Sequence, residues 1–154
     1  MNEKYLFIAL SGYLPYGLMI EQVSKPSFIG QPNNVCDVKL TVHNIQQFIG
    51  KKPYRVISQK PWLFSISCLT QQITINGETF CPIEKLKSMG IVDHIDWCTE
   101  EREYLIKDRG FYGWLGEIPF KIIEILNSWF IDYRGLIEAG KAIDVTTLKE
   151  NPYA

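Results

Sequence analysis

The chain has 154 residues, the length of one ordinary domain. A domain of that size buries roughly 68–70% of its unfolded surface, so it needs no disulfide or metal to hold a core. Apolar residues make up 46%, charged residues 21% and the net charge is −1, which excludes a mostly disordered chain and a global field that recruits nucleic acid or anionic membrane.

Residues 3–10 predict a short first helix, which Gly12 stops and Tyr13-Leu14-Pro15-Tyr16-Gly17 turns. The uncharged run 5–20 is interrupted by Ser11, Gly12, Pro15 and Gly17, so it is too broken for a signal peptide or a bilayer-spanning helix. A cytoplasmic protein with no membrane partner is expected. Residues 18–23 read as a strand, and 24–34, with Pro26, Gly30 and Pro32, as a surface loop. Residues 35–42 alternate, which predicts a half-buried strand with Cys36, Val38, Leu40 and Val42 inward. One or two helical turns follow over 43–49, then an extended piece at 53–57 and a further strand at 62–69. Asn76-Gly77 between two β-prone runs predicts a two-residue hairpin turn, because both turn positions need φ > 0. Residues 82–89 suit a short helix with Pro82 in its first turn.

Residues 91–114 fit two patterns. Ile91, Val92, Ile95 and Cys98 make a helical face, while the turn at Lys107-Asp108-Arg109-Gly110 favours strands. The strongest helical pattern covers 118–133, where Ile118, Ile122, Leu126, Trp129 and Tyr133 recur at three or four. Beyond Thr146 a polar, frayed tail is expected over 146–154. Helices and strands mix without strict alternation. The expected fold is α+β: a small single domain over 1–154, with short antiparallel sheets packed against a long C-terminal amphipathic helix.

Tests for chemistry come out negative. Cys36, Cys68, Cys81 and Cys98 contain no C-x-x-C pair and read as reduced, mostly buried thiols. Gly110, Gly113 and Gly116 do not match the dinucleotide fingerprint, Gly140-Lys141-Ala142 lacks the P-loop hydroxyl, and no G-x-S-x-G elbow occurs. His94, Cys98 and Glu101 share one face of a helix, but on a strand His94 and Cys98 stand about 13 Å apart. No fourth ligand can be named, and the acidic stretch 93–103 reads as a solvated face. No catalytic residue, metal or cofactor is assigned, and a small metal- or thiol-dependent enzyme ranks last among the readings.

Two binding readings remain. Lys51, Lys52, Arg55 and Lys60 lie within ten residues and without an acid, with Tyr54, Trp62 and Phe64 interleaved or adjacent. Cations neutralise phosphates and aromatic rings stack on bases, so this segment carries a nucleic-acid alternative. Eight Phe, eight Tyr and four Trp point instead to a protein interface, where Tyr and Trp are enriched. The aromatics without a core role on the sequence are Tyr13, Tyr16, Tyr54, Trp62, Tyr112 and Trp114.

Four segments carry a family likeness: Tyr13-Leu14-Pro15-Tyr16-Gly17-Leu18, Lys52-Pro53-Tyr54-Arg55, Asn76-Gly77-Glu78-Thr79-Phe80, and the block D-Y-R-G-L-I-E-A-G-K-A-I-D at 132–144. Their order resembles a family of short proteins carried by gut anaerobes, their prophages and their phages, with no assigned activity. Val56 and Ile57 depart from it, since a proline usually follows the arginine. The resemblance implies a phage or prophage accessory context and no catalytic residues. The C-terminal block also has a structural reading. Gly135 permits a left-handed exit from a helix ending near Asp132 and Tyr133, and Arg134 at a helix C-terminus is favourable by roughly 0.3–1 kcal/mol. Asp132, Tyr133, Arg134 and Gly135 are therefore expected to form a structural corner, with recognition as the alternative role. The expected function is that of an accessory protein binding a host or phage protein.

Overall fold

The computed structural model describes residues 3–48, 54–89 and 120–154. The segment 91–114, with its two competing patterns, lies outside the described residues. So do Lys51, Lys52, Tyr112, Trp114 and the group His94, Cys98 and Glu101.

The chain opens with α1 (Glu3–Ser11) and a 3₁₀ turn at Leu14–Tyr16, closed by Gly17 at φ 77°. The main sheet follows. Strand β1 (Met19–Ser24) pairs antiparallel with β2 (Asn34–Lys39) on one side and with β3 (Val56–Ser65) on the other. The C-terminal half of β3 takes two short parallel partners. These are β6 (Ile131–Asp132) at Phe64–Ser65 and β7 (Ile143–Asp144) at Trp62–Leu63. A separate hairpin, β4 (Ile73–Ile75) with β5 (Glu78–Phe80), turns through Asn76 at φ 51° and Gly77 at φ 79°. That is the doubly left-handed turn the Asn-Gly pair demands. Helix α2 (Val42–Ile45) links β2 to β3, and α3 (Pro82–Ser88) and α4 (Phe120–Ser128) complete the described helices. Helices and sheets are thus combined in one small domain. No helix among the described residues is long and apolar enough to cross a membrane.

One core runs through these elements. Leu10, Tyr13, Leu18, Ile20, Leu63, Leu126, Ile131 and Leu136 are fully buried together. Tyr13 is therefore a core residue, contrary to its placement among the unassigned aromatics. Its ring fills the interior and its hydroxyl donates to the Ile131 carbonyl at 2.7 Å, so both ends of the side chain are satisfied.

The long C-terminal helix is not found among the described residues. Helix α4 stops at Ser128, and the residues that continue its periodicity are buried by another route. The Phe130 N–H reaches back to the Asn127 carbonyl, and Phe130 takes the left-handed region at φ 55°. Its carbonyl then accepts the Phe64 N–H at 2.9 Å. Pairing with β3 overrides helix propensity from here on, so Trp129 packs on the Phe80 ring (centroids 5.1 Å apart) and Tyr133 on the Tyr13 ring (6.4 Å).

Strand β2 is shorter and more open than the alternation predicts. It ends at Lys39 because Thr41 caps α2: the Asn44 side chain accepts the Thr41 N–H at 2.6 Å while the Thr41 hydroxyl accepts the Asn44 N–H at 3.2 Å. Of the four residues expected to face inward, Leu40 is buried and Val38 half-buried, whereas Cys36 and Val42 are exposed. The three thiols among the described residues are mixed: Cys36 exposed, Cys81 intermediate and Cys68 buried.

The two extended pieces at 53–57 and 62–69 are replaced by one ten-residue strand, β3, with Pro61 inside it. Proline is tolerated there for a geometric reason. The Leu40 N–H donates to the Leu18 carbonyl, so even-numbered β1 residues bond to β2 and odd-numbered ones to β3. Pro61 stands opposite Ile20, a position where β1 requires no donor from β3.

Gly12 marks a close approach. A Cβ added there would lie 2.8 Å from Asn127 Nδ2, and Asn127 is buried. Gly12→Ala is expected to destabilise by about 1–3 kcal/mol through overpacking. A lower urea midpoint with an unchanged m-value would report it.

Candidate functional site

The C-terminal corner is built first by Asp132. It is 4% exposed, and its two carboxylate oxygens are both occupied. Oδ1 accepts the Leu136 N–H at 2.9 Å and Oδ2 the Ile137 N–H at 2.7 Å. Between them Gly135 takes φ 69°, the left-handed step that brings residues 136 and 137 back onto the carboxylate. Burial raises the Asp132 pKa, opposed by the N–H groups of Ile137, Leu136 and Arg134. Tyr133 is buried, and Arg134 lies over its ring at 5.0 Å with Nε donating to the Tyr133 hydroxyl at 3.0 Å. Arg134 does not neutralise a helix C-terminus as expected, because α4 ends six residues earlier. The Asp132 carboxylate thus organises the chain's own backbone, with both oxygens spent on the Leu136 and Ile137 N–H groups.

The second region is the end of the main sheet where Ser24 meets Asn34 and Val56. The Lys25 N–H donates to the Arg55 carbonyl at 2.7 Å, tying the β1–β2 loop to the start of β3. The Lys25 ammonium lies 5.3 Å from the Tyr54 ring centroid, and Tyr54 is 88% exposed. Phe28 in the same loop is 70% exposed and Ile29 fully so. Val35 on β2 and the bulged Ile57 on β3 are exposed as well. Residues 22–77 hold six Lys or Arg against one acid, Asp37, so this stretch is basic although the whole chain is slightly acidic.

The sequence-predicted binding residues separate here. Tyr54 and Arg55 come together with Lys25. Lys60 is exposed on β3 opposite Glu21, five residues along the strand from Arg55. Trp62 leaves the surface: it is half-buried, with a buried indole N–H that has no partner among the described residues. Sequence reasoning missed Lys25, Phe28 and Ile29. The available signal was two large apolar residues inside a Pro/Gly/Asn-rich loop, where no core can reach them.

Little supports a reactive centre among the described residues. They contain no cluster of three metal-ligating side chains. Burial pushes the Cys68 thiol up to about 11, with Asp144 adding to the shift, so Cys68 stays protonated and unreactive at neutral pH.

Comparison of the chain with protein-family models, with curated proteins and with solved structures found no match.

Proposed function

We propose that this is an accessory binding protein of phage or prophage type, which engages a protein partner through the β1–β2 loop end of the main sheet. The observation that carries the reading is the group of exposed large side chains there, Phe28, Ile29, Val35, Tyr54 and Ile57. Isolated exposed apolar residues need no explanation, but several large ones on segments that meet at one end of a sheet are what a docking surface requires. Tyr54 adds a rigid aromatic anchor and Lys25 a cation held against it. The family resemblance of the L-P-Y-G-L and D-Y-R-G-L-I segments supports the phage context. The test compares proteins cross-linked to the wild-type chain in host lysate with those cross-linked to a Phe28→Ser, Ile29→Ser, Tyr54→Ser variant. A partner present in the first set and lost from the second is expected, with affinity reduced at least about tenfold. Identical sets for both proteins would remove the reading.

A second reading, nucleic-acid binding, is favoured by Lys25, Tyr54 and Arg55 meeting at that same end within a basic stretch of the chain. Here Lys25→Ala with Arg55→Ala weakens binding of a labelled single-stranded oligonucleotide and flattens its salt dependence. Wild-type affinity that barely changes between about 50 and 200 mM salt counts against phosphate contacts.

A further inference from the structure

Strand β2 is the outer strand of the main sheet and pairs with β1 alone among the described residues. Its pairing to β1 runs without a break from Lys39 opposite Met19 to Asn34 opposite Ser24, and it contains no proline. Its outer edge is blunted by charge and, at the Lys39 end, by the Asn44 side chain, which donates to the Lys39 carbonyl at 2.8 Å and accepts the Thr41 N–H at 2.6 Å. The direction of its backbone groups follows from the Leu40 N–H donating to the Leu18 carbonyl at 2.7 Å. Even-numbered residues of β2 bond to β1, so Val35, Asp37 and Lys39 turn their N–H and C=O groups to the open edge.

We propose that the edge is completed by a second copy of this chain. The two β2 strands pair antiparallel across a two-fold axis and extend the sheet through both molecules. The outward-bonding residues must lie opposite one another, and this leaves three central registers. One sets Asp37 against Asp37, which is repulsive. Another sets Asp37 against Val35, with the two Cys36 residues facing each other on the axis. The third sets Asp37 against Lys39, twice by symmetry, with Val38 against Val38 on the axis. Only the third pairs every charge on the edge, and it joins the half-buried Val38 of each copy on the face that carries the core. The charge pattern of β2 is thus self-complementary in a register of the right backbone parity, in which the Asp37 N–H of the second copy takes the place of the Asn44 side chain at the Lys39 carbonyl. This edge shares Val35 with the loop end but contains none of Phe28, Ile29 and Tyr54, so a Phe28→Ser, Ile29→Ser, Tyr54→Ser variant remains dimeric even where it loses its partner.

Sedimentation velocity on the full chain over a range of concentrations tests the assembly. Wild type is expected at twice the monomer mass at high concentration. Asp37→Lys alone and Lys39→Asp alone are expected as monomers, with dimer recovered in the Asp37→Lys/Lys39→Asp double variant and on mixing the two single variants. Recovery distinguishes lost pairing from lost folding. A wild type that stays monomeric at its highest soluble concentration overturns the proposal. So does a dimer indifferent to both single changes, or an edge that takes up a foreign extended peptide in place of a second copy. Cross-linking fixes the register. Val38 lies at a non-hydrogen-bonded position on the axis, where opposed Cα atoms are about 4.5 Å apart and within disulfide range. Val38→Cys in a Cys36→Ser background is expected to give a covalent dimer with copper–phenanthroline as oxidant. Efficient cross-linking of wild type through Cys36 would instead overturn the Asp37–Lys39 register.

Discussion

Tyr153→Phe is expected to cost about 1–3 kcal/mol, because it leaves two backbone groups of the main sheet without a partner. Extending the β1–β3 register one step beyond Ile20 opposite Pro61 sets Met19 opposite Trp62, the next position at which the strands would exchange hydrogen bonds. They do not bond directly. The Tyr153 hydroxyl stands between them, accepting the Met19 N–H at 3.2 Å and donating to the Trp62 carbonyl at 2.7 Å. A single phenol thus replaces one rung of the ladder. Its ring stacks on Phe130 with centroids 4.0 Å apart and planes 14° apart, and tilts against Phe64 at 6.0 Å. Tyr153→Ala removes ring and hydroxyl together and is expected to cost about 3–5 kcal/mol. Urea unfolding followed by far-UV circular dichroism measures both, and wild-type midpoints would sink the bridging role.

The same hydroxyl gives the fold an alkaline weakness. Burial raises the Tyr153 pKa above the ordinary tyrosine value, the Met19 N–H opposing it, and burial raises that of Tyr13 as well. A phenol whose folded pKa is raised contributes stability that is fully present below its unfolded value of about 10 and is lost as pH climbs past it. Wild type is therefore expected to lose stability more steeply than Tyr153→Phe as pH rises above about 10.

The tail containing Tyr153 also shows why part of the fold was illegible in the sequence. Residues 146–154 are mostly polar and read as frayed, yet the Asn151 side chain donates to the Thr74 carbonyl at 2.7 Å and the Asn76 N–H donates to the Tyr153 carbonyl. The tail is held by long-range bonds to the β4–β5 hairpin, and no local pattern encodes a partner more than seventy residues away. The Asn76-Gly77 turn was legible because its backbone requirement is local and few residues meet it. The end of α4 was not. Apolar spacing through Tyr133 is satisfied equally by a helix and by a short strand beside β3, and only pairing with Phe64 and Ser65 chooses between them. Gln59 was equally hidden. It points its amide at the side chains of Gln22 and Gln47, a buried polar contact assembled from three elements that sequence periodicity treats separately. At the binding end, Tyr54 and Arg55 could be named from sequence, but their neighbour Lys25 could not, since a bond between two loops brings it there.

Asp132→Asn is expected to destabilise the protein by about 1–3 kcal/mol although it changes almost no volume. Each carboxylate oxygen accepts one backbone N–H, from Leu136 or from Ile137. An amide offers one oxygen and one NH₂, so either orientation sets a donor against a donor inside the core. Asp132→Ala strands both N–H groups and is expected to cost more than Asp132→Asn. The loss falls on the turn that seats Leu136, which is fully buried in the core, so the damage is global rather than confined to the corner. The pH dependence has a definite sign. The Asp132 pKa is raised, chiefly by burial, so the group's contribution is fully present below its unfolded value of about 3.9 and declines as pH rises through the folded value. The stability gap between wild type and Asp132→Asn should therefore widen as pH is lowered from neutrality toward 4, the reverse of the trend for an ion-paired surface carboxylate. Paired urea titrations at several pH values measure that gap. A gap near zero at every pH would show that the turn holds without the carboxylate. A gap that narrows toward acid would show that the N–H groups outweigh burial in setting its charge.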